Sequence, residues 1–170
     1  PVEVITRNLI RGDELRRLVI VRDIRDRLAA QARIHHLAHH DTLTGLPNRM
    51  AFMQRLEQSL GERQSAGGTR ALMFVDLDHF KRVNDSLGHL AGDELLRTVS
   101  SRLVDALRGS DVVGRFGGDE FMVLLSDVAD RRDAEGVARK LLQVVQTPVK
   151  LQEQAVSVSP SIGIAFFPRD

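Results

Sequence analysis

The segment that most constrains this chain is seven residues long. Arg115-Phe116-Gly117-Gly118-Asp119-Glu120-Phe121 joins two short apolar runs, Asp111–Phe116 and Phe121–Leu125, through a Gly-Gly pair followed at once by two carboxylates. Glycine reaches positive φ without steric cost, so Gly-Gly between two strands predicts a tight hairpin. Asp119 and Glu120 then stand at its tip or on its first rung, where a ligand can meet them. Upstream, the apolar run Ala71–Val75 ends in Asp76-Leu77-Asp78. Two strand ends presenting acids, with glycines leaving room for a polyanion, suit a site for a metal ion and a nucleoside triphosphate.

The remaining periodicities place these strands in a layered domain. A helix opens at Pro47 or Asn48 with Phe52, Leu56 and Leu60 at i, i+4, i+8, and Gly61–Thr69 is read as the loop into a strand over Arg70–Asp76. A short helix over Asp78–Leu87 breaks near Gly88. Another runs from Ala91 to Leu107 on a Leu96, Val99, Leu103, Leu107 stripe. Ala134, Val137, Ala138, Leu141, Leu142 and Val145 mark a third amphipathic helix, and Gln154–Ser159 and Ser161–Phe167 read as the last two strands. The order β-α-α-β-β-α-β-β gives an α/β (α+β) domain, a mixed central sheet with helices packed on it.

The first forty residues differ. Val2, Val4 and Thr6 alternate with polar residues and Leu18–Val21 follows the turn signal Arg11-Gly12-Asp13, so residues 1–23 read as a β-hairpin. A lone hairpin is marginal in water, and this one is expected to belong to a larger sheet upstream. Residues 24–42 read as a connecting or dimerising helix, free of Gly and Pro in its Ile24–His40 core, with a thin apolar side. His35, His36, His39 and His40 form two i, i+4 pairs. Apart from Asp41 no acid or cysteine lies nearby to complete a metal set, so this reads as a solvated helix face.

Composition narrows the class. Hydrophobic residues make up 42% of the 170, with seven Phe and no Trp or Tyr, so the core is mainly aliphatic. Zero cysteines exclude a disulfide scaffold and a thiolate metal site. A net charge of +1 supplies no basic field for nucleic acid. No apolar run approaches a membrane span, and the N-terminal residues lack the pattern of a signal peptide. The expectation is a soluble, cytoplasmic chain.

Three motifs together carry a family resemblance. Gly117-Gly118-Asp119-Glu120-Phe121, Asp76-Leu77-Asp78-His79-Phe80-Lys81 and Asp41-Thr42-Leu43-Thr44-Gly45-Leu46-Pro47-Asn48-Arg49 resemble the GGDEF domain of bacterial diguanylate cyclases, from about His35 to Asp170. Val21–Arg27 resembles the last strand and exit of a PAS sensor domain, with an unrelated hairpin as the alternative. The resemblance implies a sheet of about five strands, related to the palm of nucleotide cyclases and polymerases. It implies a GGDEF domain over 43–170 that lacks its final helix, and a PAS-like remnant over 1–23.

It also implies an activity: a homodimer condensing two GTP into cyclic di-GMP and pyrophosphate, with Mg²⁺ or Mn²⁺ as cofactor. The alternative is a non-catalytic GGDEF module that binds GTP or cyclic di-GMP and regulates a neighbouring domain. Carried over residue by residue, Asp76, the Leu77 carbonyl and Asp119 are the metal ligands. Asp119 activates the 3′-hydroxyl, with Glu120 as a second catalytic candidate. Gly117 and Gly118 admit the phosphates, the N–H groups of His79 and Phe80 cradle one of them, and Lys81 adds a point charge. Asn84, with donor and acceptor, and Asp93, an acceptor, match the guanine-reading positions, and His89 another substrate contact. Arg108-Gly109-Ser110-Asp111 resembles the inhibitory product site, where an arginine forks onto guanine.

Overall fold

The computed structural model describes residues 1–11, 14–62 and 69–168, and divides into two compact units, residues 1–38 and 39–170. The expected turn at Gly12-Asp13 and most of the expected loop at 61–69 lie outside the described residues. In the first unit β1 (Val2–Arg11) pairs antiparallel with β2 (Glu14–Asp23), Val4 opposite Val21 and Ile5 opposite Ile20. Val4, Val19 and Val21 are more than half exposed. Helix α1 (Arg25–His39) follows and has no buried residue. Arg25 anchors its start by forking onto the Asp23 carboxylate at 2.9 and 2.6 Å.

The second unit is built on one strand. After α2 (Arg49–Glu62), whose first turn is capped by the Asn48 side chain accepting from the Ala51 N–H at 3.0 Å, comes β3 (Thr69–Leu77). Its alternation sends Ala71, Met73, Val75 and Leu77 into the core and leaves Leu72, Phe74 and Asp76 on the opposite face. Then follow α3 (Phe80–Leu87), α4 (His89–Ala106), β4 (Val112–Gly117), β5 (Glu120–Val128) and α5 (Arg131–Gln146). The chain closes with β6 (Val149–Leu151), β7 (Gln154–Val156) and β8 (Pro160–Phe167). The sheet order is β4-β5-β3-β8. Leu95, Val99 and Leu103 of α4 and Ala134, Leu141 and Val145 of α5 join the buried face of the sheet, while Phe52 of α2 packs on Met122 and Leu124 across the other.

The α/β layering is as expected, with four strands where about five were anticipated. The pairing differs from the mixed sheet expected: β3–β5, β3–β8 and β4–β5 are all antiparallel, and among the described residues parallel pairing is confined to an isolated bridge between Asn48 and Arg115. The expected strand over Gln154–Ser159 stops at Val156 and leaves the main sheet, pairing instead with β6, a strand the periodicity did not reveal. Its turn explains the miss. Gln152 and Glu153 take φ of 46° and 67°, a left-handed pair that usually announces itself by Gly or Asn. A glycine does matter at Gly114 of β4, where an added Cβ would lie 2.8 Å from the Phe52 ring and 3.0 Å from the Pro47 carbonyl.

Candidate functional site

The hairpin between β4 and β5 turns on Gly118 and Asp119, with Gly117 and Glu120 paired as its first rung and a register shift between Arg115 and Gly117. Gly118 has φ 52° and Gly117 φ 151°, conformations that side-chain-bearing residues avoid. Both carbonyls flanking the Asp119 Cα are held. Arg115 donates Nε and Nη2 to the Gly118 oxygen at 3.1 and 2.8 Å, and the Leu77 N–H donates to the Asp119 oxygen at 3.3 Å.

Arg115 is itself anchored from a distant segment. Its Nη1 donates to Asp41 Oδ1 at 2.9 Å, between side chains 10% and 23% exposed, and its backbone N–H donates to the Pro47 carbonyl. Asp41 also accepts from the Thr44 N–H and hydroxyl at 2.9 and 2.6 Å. Burial pushes the Asp41 carboxyl up, but the bonds from Thr44 and Arg115 together outweigh it and hold the group below its ordinary range. The Asp41–Arg49 motif is thus a folded turn clamped onto the hairpin. Sequence reasoning quoted Asp41 and Arg115 within motifs and gave neither a role.

Asp76, Leu77 and Asp119 come together at the end of β3. Asp76 pairs in register with Glu120, and Leu77 bonds the Asp119 backbone. Burial raises the Asp76 pKa, and the neighbouring Asp119 and Asp78 carboxylates raise it further. Asp78 is occupied differently. Its two oxygens accept the Ser159 and Ser161 hydroxyls at 2.8 Å each, bonds that lower its pKa. Among the described residues no three or more His, Cys, Asp or Glu side chains converge as a metal cluster. Two carboxylates and a backbone carbonyl carrying mutual repulsion nevertheless fit Mg²⁺, which takes one or two carboxylates and completes its octahedron with water and phosphate.

Beyond β3, His79 takes a left-handed φ of 60° and α3 begins at Phe80, so the helix starts two residues later than expected. Phe80 is buried and Lys81 exposed. A cavity of about 220 Å³ opens beside this turn, lined by Asp78, His79, Arg82, Ser157 and Ser159, of which only His79 was expected as a site residue. Gly88 (φ 84°) alone separates α3 from α4. Asn84 and Asp93 are half-buried on the two helices, and His89, the first residue of α4, is exposed.

Arg108 and Asp111 lie apart from this cluster, at the far end of β4. Asp111 accepts from the Arg108 N–H at 3.2 Å and the Ser126 N–H at 3.4 Å. Both line a cavity of about 290 Å³ together with Asp127, Arg132 and Lys140, three residues that sequence reasoning did not single out. Six residues of β4 separate the two places, about 20 Å at 3.3 Å per residue.

An antiparallel sheet with helices on its buried face, and a carboxylate hairpin beside the acidic end of its central strand, define a palm-like α/β domain. The chain belongs to the GGDEF domain family of diguanylate cyclases, whose family model matches residues 38–170. It is 44% identical over 138 residues to the diguanylate cyclase TpbB of Pseudomonas aeruginosa, covering 81% of this chain and 32% of that protein. It is 44% identical over 141 residues to the cyclic di-GMP phosphodiesterase NbdA of the same organism, covering 83% of this chain and 18% of NbdA. The chain therefore spans a third or less of these relatives. The solved GGDEF domain of TpbB superposes with a TM-score of 0.74 at 44% identity over 76% of each chain. The coiled coil and GGDEF domain of DgcB from Caulobacter crescentus, solved in complex with cyclic di-GMP, gives 0.74 at 27% identity over 83% of this chain and 76% of that one.

Proposed function

We propose that this domain condenses two GTP molecules into cyclic di-GMP with release of two pyrophosphates. The observation that carries the reading is the turn that holds Asp119 by both flanking carbonyls beside Asp76 at the end of β3. Each 3′-hydroxyl attacks the α-phosphate of the other nucleotide, a reaction governed by positioning and charge neutralisation. Asp119 accepts the proton of the attacking 3′-hydroxyl, with Glu120 next to it on the first rung. The N–H groups at His79 and Phe80, together with Lys81, hold phosphate oxygens, and Gly117 and Gly118 let those oxygens approach the backbone. Asn84 and Asp93 read the guanine edge, and His89 adds a substrate contact. Asp76, Asp119 and the Leu77 carbonyl would hold Mg²⁺ or Mn²⁺, which when bound neutralises phosphate charge.

One domain holds one GTP, so catalysis needs a homodimer. Cyclic di-GMP bound at Arg108 and Asp111 restrains turnover without overlapping the substrate, and the neighbouring cavity, where Arg132 and Lys140 stand among Asp127 and Asp133, offers it both donors and acceptors. Residues 1–23 are the end of a PAS-like sensor, linked through residues 24–42, and the protein works in the cytoplasm. Among the described residues no helix is long and apolar enough to cross a membrane.

The test is incubation of the full-length protein with GTP and Mg²⁺, followed by chromatography. Cyclic di-GMP with pyrophosphate supports the proposal. Unchanged but protein-bound GTP, or binding of cyclic di-GMP alone, replaces it with a regulatory module.

A further inference from the structure

We infer that Gly92 is a specificity-determining position: its missing side chain is what lets the Asn84 amide lie across the first turn of α4. The inference rests on the proposed role of Asn84 and Asp93 in reading guanine.

Gly92 is buried on α4, immediately before Asp93, and is not among the positive-φ glycines, so its backbone does not call for glycine. The space above it does. A Cβ placed there would lie 2.0 Å from Asn84 Oδ1, 3.0 Å from Asn84 Cγ and 3.2 Å from Phe80 Cζ. Carbon–oxygen contacts ordinarily begin near ~3.3 Å, so the amide oxygen would have to retreat by roughly 1 Å. Gly61 of α2, by contrast, meets nothing within 4 Å.

The kind of atom in collision decides the consequence. Asn84 Oδ1 is the tip of a short side chain; swinging that side chain about both of its rotatable bonds carries Oδ1 and Cγ clear, and the Phe80 ring edge gives by a few tenths of an ångström. Alanine is also the better helix former. A methyl at this position therefore leaves the fold intact and displaces one base-reading group. Polar recognition of a base edge loses its selectivity when a buried donor or acceptor no longer meets its partner.

The test measures equilibrium binding to the full-length protein of 3′-deoxy-GTP and 3′-deoxy-ATP with Mg²⁺, analogues that cannot be joined because they lack the attacking hydroxyl. Gly92→Ala, Asn84→Ala and the double variant are compared, with melting temperatures recorded. Gly92→Ala is expected to weaken 3′-deoxy-GTP about 10-fold, to leave 3′-deoxy-ATP within about twofold, and to melt no lower than the unmodified protein. In the Asn84→Ala background the added methyl should change 3′-deoxy-GTP affinity less than about twofold, because the group it displaces is gone. Three results overturn the inference: undiminished guanine preference in Gly92→Ala, a 10-fold loss that persists in the Asn84→Ala background, or a clearly lowered melting temperature. Absence of guanine preference in the unmodified protein instead defeats the reading of Asn84 and Asp93, and this inference with it. Preference that Asn84→Ala abolishes and Gly92→Ala retains defeats this inference alone.

Discussion

Replacing Arg115 by alanine tests the anchoring of the hairpin. The substitution removes the ion pair to Asp41 and both bonds to the Gly118 carbonyl, three contacts of 2.8 to 3.1 Å. Exposed ion pairs contribute about 0–1 kcal/mol, and breaking a buried one costs about 3–5. With side chains 10% and 23% exposed the pair stands between, and we expect Arg115→Ala to cost about 2–3 kcal/mol. For a domain of this size that lowers the melting temperature by about 6–12 °C. A double-mutant cycle with Asp41→Ala should return a coupling of about 1–2 kcal/mol.

The pH dependence has a definite sign. The folded pKa of Asp41 lies below its unfolded value, so the pair stabilises fully above about pH 4 and loses its contribution as pH falls through the folded pKa. Arg115→Ala should therefore flatten the acid limb of the stability curve. Arg115→Lys restores a charge near Asp41 but not the fork onto Gly118, so it should recover only part of the stability. Zero coupling in the cycle, together with an unchanged acid limb, would refute the reasoning.

Asp119→Asn preserves the shape of the turn and removes the proton acceptor, so cyclic di-GMP formation should fall by at least ~10²-fold with unfolding unchanged; near-normal turnover by chromatography contradicts the role. Arg108→Ala removes a guanidinium fork worth roughly 1–3 kcal/mol, so cyclic di-GMP should bind about 5–150-fold more weakly by calorimetry, and progress curves should stay linear for longer. Equal product sensitivity would make Arg108 a surface arginine. Gly114→Val drives a side chain into Phe52 and the Pro47 carbonyl and should cost about 1–3 kcal/mol by chemical denaturation; a neutral result would mean that α2 yields readily.

The parts legible in the sequence are those with short-range signals. Gly117-Gly118 between alternating runs gave the hairpin, the acid at the end of Ala71–Val75 gave the central strand, and the Ala134–Val145 stripe gave α5. Val149–Leu151 is too short to show alternation, and its Gln-Glu turn carries no turn residue, so β6 stayed hidden. Long-range polar contacts leave no periodic trace at all. Arg115 meets Asp41 across 74 positions, and Asp78 meets Ser159 and Ser161 across 81 and 83. Asp127, Arg132 and Lys140 escaped for the same reason: folding brings them beside Arg108, and nothing in their own neighbourhoods marks them.

The central place of β3 divides the candidate site by timescale. Ladders on both sides fix its register from Asp76 back to Ala71, so its amides are expected to exchange with solvent mainly through global unfolding. The Gly118–Asp119 turn and the left-handed residue at His79 lie outside those ladders and are held by a few single bonds, from Arg115, Leu77 and Arg82, so their amides are expected to exchange through smaller, local openings. Asp76 is thus the fixed reference, and the groups proposed to meet the reacting hydroxyl and the phosphates sit on turns whose position depends on a few named bonds. A site divided in this way can be tuned by whatever biases the turns, while the strand that carries its anchoring acid stays in register.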